Sequence, residues 1–206
     1  MYERMADALE PEMRRATDAL LDAVEAGSGT RLLDLGCGPG YTTEAARERG
    51  ADALGLDYTP SMVKTAQRKF PNARFVVGDM LHPPTGPWDA IVSRLGVHHA
   101  DPTWIDAAWR VLAPGGRVAI AELAPRDAEM EKNGMRPASH WVKLFEGAGL
   151  QDVTVTTLTL QLGALAERDP LLQAMRAKGH GSQYGDGRIH VVAGRKDLST
   201  QWESRS

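Results

Sequence analysis

A single cysteine, Cys37, serves the whole chain, which excludes an internal disulfide and any zinc site built from several cysteines. No apolar run approaches the roughly 20 residues that cross a bilayer as a helix. The six histidines include no H-x-x-x-H or H-E-x-x-H pattern, so the helical zinc signature is missing. Neither charge sign dominates: the formal net charge is −3, and acids and bases are interspersed. That removes the electrostatic reason to expect nucleic acid or an anionic membrane as partner. There is no internal repeat and no low-complexity block. Met1-Tyr2-Glu3-Arg4 leads straight into an amphipathic pattern, not the apolar centre of a signal peptide. With one thiol and no such segment, the expected compartment is the cytoplasm.

What is present is an alternation of strand-like and helix-like segments. Met5, Leu9, Met13, Ala16, Leu20 and Val24 recur at helical spacing, predicting a helix over 3–26 broken near Pro11. Short apolar runs at 31–35, 53–57, 74–77, 89–93 and 117–121 predict buried strands, with helices at 42–48, 60–70 and 103–112 between them. Thr59-Pro60 reads as N-cap and first helical residue, and Pro114-Gly115-Gly116 as a turn into the fifth strand. A helix over 138–148 follows. Residues 153–160 alternate Thr with apolar residues, as for a sheet with one drier face, and 188–193 form a final strand. The pattern predicts an α/β fold: a doubly wound, mainly parallel seven-stranded sheet with helices on both faces and an antiparallel last strand. One domain over 1–197 accounts for this, with 1–29 a helical cover, 30–122 a cofactor-binding half, 123–197 a substrate-side half and 198–206 a polar tail. The linker 123–137 is short and polar for a substrate lid.

The segment richest in chemical information is Asp34-Leu35-Gly36-Cys37-Gly38-Pro39-Gly40, between a predicted strand and a helix. Glycines at alternate positions let the backbone turn sharply and approach a ligand closely, although glycines also make ordinary strand-to-helix turns. A dinucleotide fingerprint needs a glycine where Tyr41 stands, and no Gly-Lys-Ser/Thr follows to make a phosphate loop.

This segment, Asp57 at the end of the second strand, Gly78-Asp79-Met80 after the third and Leu112-Ala113-Pro114-Gly115-Gly116 before the fifth resemble, in order and spacing, the motifs of one family. It is that of the class I S-adenosylmethionine-dependent methyltransferases, with a Rossmann-like fold, and in particular the small-molecule group related to ubiquinone and menaquinone methyltransferases. The resemblance covers about residues 30–122. It implies that S-adenosylmethionine binds and S-adenosylhomocysteine is released, with Asp34, Gly36, Cys37, Gly38 and Gly40 around the methionine end. It also implies Asp57 on the ribose hydroxyls, where a carboxylate accepts two charge-assisted hydrogen bonds. Tyr58 is a candidate for the adenine face, Asp79 for the adenine amino group and Met80 for the ring. Ser93 and Arg94 are implied to line the methionine pocket. Cys37 is expected to be a small packed residue, since nothing beside it lowers its pKa.

The later part of Ser93-Arg94-Leu95-Gly96-Val97-His98-His99 is implied to face the acceptor. His98 or His99 is therefore the candidate general base, the alternative being helix capping or packing. His140 and Trp141 are candidates for reaching the acceptor, Arg136 for holding an anion, and Tyr2 and Met5 for part of a lid. No Asn/Asp-Pro-Pro-Tyr signature follows the fourth strand, and Cys37 sits in the glycine loop, so the signatures of DNA methylation are missing. The expected acceptor is a small organic molecule. A reaction other than methylation on the same scaffold, such as cyclisation, and a regulatory module without turnover stay open, as does the oligomeric state.

Overall fold

A computed structural model of the chain describes residues 2–161, 167, 173 and 187–199. Its elements are α1 (Tyr2–Ala23), β1 (Arg31–Leu35), α2 (Tyr41–Glu48), β2 (Asp52–Asp57), α3 (Pro60–Lys69), β3 (Arg74–Val77) and β4 (Trp88–Arg94). After these come α4 (Trp104–Val111), β5 (Leu112–Leu123), α5 (Ala128–Lys132), α6 (Ala138–Gly147), β6 (Gln151–Leu160) and β7 (Gly187–Arg195). The seven strands form one sheet in the order β3-β2-β1-β4-β5-β7-β6. β1 to β5 are parallel, and β7 runs antiparallel to both β5 and β6. The chain steps outward from β1 to β3 and then returns to the other side of β1. That reversal opens a crevice at the carboxyl ends of β1 and β4, the place where doubly wound sheets bind ligands.

Each face of the sheet carries its own core, which is why β1 reads as a continuous apolar run. Leu32 packs with Leu20 and Leu21 of α1 and Ala46 of α2. Leu33 and Leu35, pointing the opposite way, pack with Trp104 of α4 and Phe145 of α6. Burying one such leucine contributes roughly 1.5–3 kcal/mol. By the same alternation Asp34 lies on the face of Leu32, beneath α1 and α2.

Four local expectations need correction. α1 runs unbroken through Pro11. The proline costs one hydrogen bond, that of the Asp7 carbonyl, and both residues are exposed, so water replaces it while Met13, Ala16 and Leu20 anchor the following turns. The Pro114-Gly115-Gly116 turn is a bulge inside β5: Trp88 pairs with Leu112 and Ala90 with Arg117, so Ala113–Gly116 loop out opposite Asp89. β6 has no single dry face. Its alternation changes phase at Thr156-Thr157, so Val153 joins one core and Leu158 and Leu160 the other, and Val155 is 42% exposed on this edge strand. Lastly, the linker 123–137 is not merely polar. Asp127 caps α5 by accepting from the Met130 amide at 2.9 Å, and Met130 and Met135 are buried. Residues 200–206 of the expected tail lie outside the described residues.

Candidate functional site

The glycine loop is stitched to the end of β2 by backbone groups. The Gly36 and Cys37 amides donate to the Leu56 carbonyl at 2.8 and 3.0 Å. The Gly38 amide donates to Asp57 Oδ2 at 2.8 Å, and the Thr59 amide donates to Asp57 Oδ1 at 2.8 Å. Asp57 thus ties the loop to the start of α3 while each oxygen keeps a lone pair for a ligand. Thr59 is the N-cap of α3 as expected, but its hydroxyl makes no capping bond; the Asp57 carboxylate orders this turn instead.

The loop glycines are needed for different reasons. Gly38 has φ +52°, and a methyl group built on it would meet nothing within 4 Å, so it faces open space. Gly40 has φ +93°, and its methyl would stand 2.7 Å from the Phe75 ring and 3.0 Å from Ala66 Cβ. Gly40 is therefore demanded by packing at the N-cap of α2, and it borders neither of the hollows that open beside the loop.

Beneath the loop, buried Asp34 accepts the Thr43 hydroxyl at 2.7 Å. Burial raises its pKa to about 6; the Thr43 bond and the Arg94 charge pull it down, and Asp57 pushes it up. The Cys37 thiol is buried, and desolvation with the Asp34 and Asp57 charges drives its pKa upward, so it is no nucleophile.

Two adjoining hollows open along this edge. The first, about 400 Å³, lies between α1 and the loop, with Leu9, Glu10, Met13, Asp34, Gly38 and Arg94 among its walls. The second, about 350 Å³, lies between Asp79, Met80 and Leu81 on one side and His99 and Asp101 on the other. Gly36, Tyr58, Met80 and Gly96 border both. Tyr58 is 77% exposed at the rim. Asp79 accepts the Leu81 amide at 2.9 Å through one oxygen and faces His82 at 3.5 Å with the other.

Asp34, Gly36, Cys37, Gly38, Asp57, Tyr58, Met80 and Arg94 all border the first hollow, and Asp79 borders the second. Arg94 reaches α1: its Nη1 donates to Glu10 Oε1 at 3.1 Å and to the Thr17 hydroxyl at 2.7 Å, and its Nη2 donates to Glu10 Oε2 at 2.8 Å. Ser93 is buried behind Gly96 and borders neither hollow, and its hydroxyl has no hydrogen-bond partner among the described residues. His99 borders the second hollow, beside Asp79 and not beneath α1. Burial and the neighbouring His98 lower its pKa, with Glu122 opposing. His98 borders neither hollow and is held by Glu122 at 2.9 Å.

Other candidates lie elsewhere. His140 is exposed, Trp141 is buried in the α4–α6 core, and Arg136 donates to the Glu131 and Met135 carbonyls. The side chains of Tyr2 and Met5 lie outside the described residues. Two residues that bear on the hollows escaped the sequence reading: Glu10, in the wall of the first, and Glu122, bonded to the turn after β4. An acid on the apolar stripe of α1 and another ending the apolar run 118–121 were the available signals.

A family model for a methyltransferase domain matches residues 32–116. The demethylmenaquinone methyltransferase of Beutenbergia cavernae is 35% identical over 115 residues, 54% of this chain and 47% of that protein. The chain spans about half the length of the curated relatives it matches. The phosphoethanolamine N-methyltransferase 2 of Haemonchus contortus, solved with S-adenosyl-L-methionine, superposes with a TM-score of 0.73 at 18% identity, over 92% of this chain and 56% of that one. The [4+2]-cyclase SpnF superposes with a TM-score of 0.72 at 20% identity, over 90% and 82%. The strand order and the glycine loop at the β1–β4 reversal agree with these matches: residues 32–116 are similar to a methyltransferase domain, and the fold is that of the solved structures.

Proposed function

We propose that this chain transfers the methyl group of S-adenosylmethionine to a small organic acceptor. The observation that carries the reading is the Asp57 carboxylate, fixed by the Gly38 and Thr59 amides beside the open face of Gly38. A carboxylate so oriented suits two adjacent ribose hydroxyls, and the space over Gly38 suits a ligand that lies against backbone. In this reading Asp79 and Met80 hold the adenine, with Tyr58 at the rim, and Asp34, Gly36 and Arg94 surround the methionine end. S-adenosylmethionine supplies an electrophilic methyl group on a sulfonium.

The protein's task is then alignment and exclusion of water. Alignment alone is worth roughly 7–11 kcal/mol in well-oriented cases. The acceptor enters from beneath α1, where Ala6, Leu9, Met13 and Leu95 make an apolar wall. His99, on the Asp79 side, and His98, held by Glu122, serve better as positioning groups than as the base of that hollow. We place the protein in the cytoplasm, acting on a small molecule and not on nucleic acid.

A reaction without net methyl transfer is the second reading, favoured by the likeness to a cyclase over most of both chains. Methyl-labelled S-adenosylmethionine incubated with the protein and a panel of phenols, amines and carboxylic acids decides between them. The expected result is S-adenosylhomocysteine with the label on a product. A converted acceptor without label supports the second reading, and binding with no consumption across the panel overturns both.

A further inference from the structure

Glu122, at the end of β5, is 1% exposed and touches neither hollow, yet it is bonded to Val97 and His98, which lie between the wall residues Gly96 and His99. Its Oε1 accepts the Val97 amide at 3.0 Å, and its Oε2 meets His98 Nδ1 at 2.9 Å. A carboxylate only accepts, so His98 carries its proton on Nδ1. The carbonyl of the preceding residue, Ala121, accepts the Leu95 amide at 2.9 Å. The end of β5 thus receives three bonds from the turn that follows β4.

That turn is one the chain does not favour unaided. Leu95 has φ +57°, left-handed backbone that costs a branched side chain. Gly96 is pressed against the glycine loop: a methyl on Gly36 would lie 3.3 Å from Gly96 Cα, and one on Gly96 would lie 3.0 Å from the Leu35 carbonyl. Leu95 and Gly96 line the first hollow, and Gly96 and His99 line the second. As core filler a carboxylate is a poor choice, since a buried charge must recover its desolvation through fixed partners.

We infer that Glu122 is a positioning residue for ligand binding, holding the 94–98 turn in the shape that forms the shared wall of the two hollows. The inference rests on the reading that this cleft takes S-adenosylmethionine, so S-adenosylhomocysteine is the probe. Calorimetric titration compares the unaltered chain with Glu122→Gln and Glu122→Asp, each checked for folding by circular dichroism. Glutamine keeps an oxygen for Val97 at the same reach, whereas aspartate keeps the charge but withdraws it by one methylene.

Glu122→Gln is expected to bind within about threefold of the unaltered chain, and Glu122→Asp about tenfold more weakly. Glycine at position 95 adopts the left-handed turn unaided, so the aspartate deficit should shrink in a Leu95→Gly background. Aspartate binding as well as glutamine or better, or a deficit unchanged by Leu95→Gly, overturns the inference. No binding by the unaltered chain would instead overturn the cofactor reading itself.

Discussion

The two sides of the cleft are built from interactions of very different reach. On the glycine-loop side, Gly38 bonds to an acid 19 positions away, and the Thr59 amide to the same acid two positions back. On the α1 side, Arg94 bonds to a partner 84 positions away, and the Val97 turn to one 25 positions away. Backbone amides order the first side. Two acids distant along the chain order the second, Glu10 on the Arg94 guanidinium and Glu122 on the Val97 amide. The first tolerates little change in backbone geometry, whereas the second depends on a few ionic and hydrogen-bonding side chains.

Gly40→Ala attacks the loop side where it is most tightly packed, and is expected to have the largest effect. Left-handed strain and overpacking against Phe75 together should cost about 2–5 kcal/mol, read by urea unfolding. Gly38→Ala meets open space and should cost only about 1–2 kcal/mol in the same assay, while ligand affinity falls further. Equal stability losses at the two glycines would erase the distinction drawn between packing and ligand approach.

Glu10→Ala attacks the other side. Glu10 and Arg94 are only 18% and 12% exposed, so truncating the acid strands a cation against α1 and should cost about 1.5–3 kcal/mol. In an Arg94→Met background the same truncation should cost much less. Urea unfolding of the four combinations gives the coupling, and additive losses would mean that the pair does not fasten α1.

The contrast in reach also explains what was legible beforehand. Asp34, Gly36, Gly38, Asp57 and Asp79 stand at the ends of strands, where strand, turn and helix signals are all local, and the cleft gathers them together. The sheet was legible for the same reason, since apolar runs at strand length predicted β1 to β5 and the alternation of Thr with apolar residues predicted β6. Glu122 looked like an ordinary charge closing a strand; its importance lies in meeting Val97 and His98. The paired histidines follow the left-handed turn at Leu95, which no local pattern announces, so the sequence alone did not separate His99 at the second hollow from His98 against Glu122. Pro11 misled in the opposite direction, since the packing of α1 outweighs one lost hydrogen bond.

Asp57→Ala sharpens the loop side further. Loss of a charged hydrogen-bonding partner should weaken ligand binding by about ten- to a hundredfold. Because the carboxylate also holds two backbone amides, stability should fall measurably as well, which the sequence alone did not suggest. Calorimetry and thermal unfolding of the one variant check both effects, and unchanged affinity would move the ribose contact elsewhere.

A last expected effect is a pH dependence from Asp34. Its folded value of about 6 lies above the ordinary 3.8, so between those values the folded chain keeps a proton that the unfolded chain has released. Stability therefore falls as pH rises through that window and is level above it. Asp34→Asn, whose amide oxygen still accepts from Thr43, should flatten this fall, which the shift sets at roughly 3 kcal/mol. An unchanged profile would mean that Asp34 ionises as it does in the unfolded chain.

The central claim is that this loop and its carboxylate receive an adenosyl amino acid and not a dinucleotide. Calorimetric titration of the unaltered chain with S-adenosylhomocysteine and with NAD tests it most directly. The account predicts saturable binding of S-adenosylhomocysteine that Gly38→Ala and Asp57→Ala each weaken, with no competition from NAD. Tight NAD binding that displaces S-adenosylhomocysteine, or no binding of the adenosyl ligand by folded protein, would contradict it.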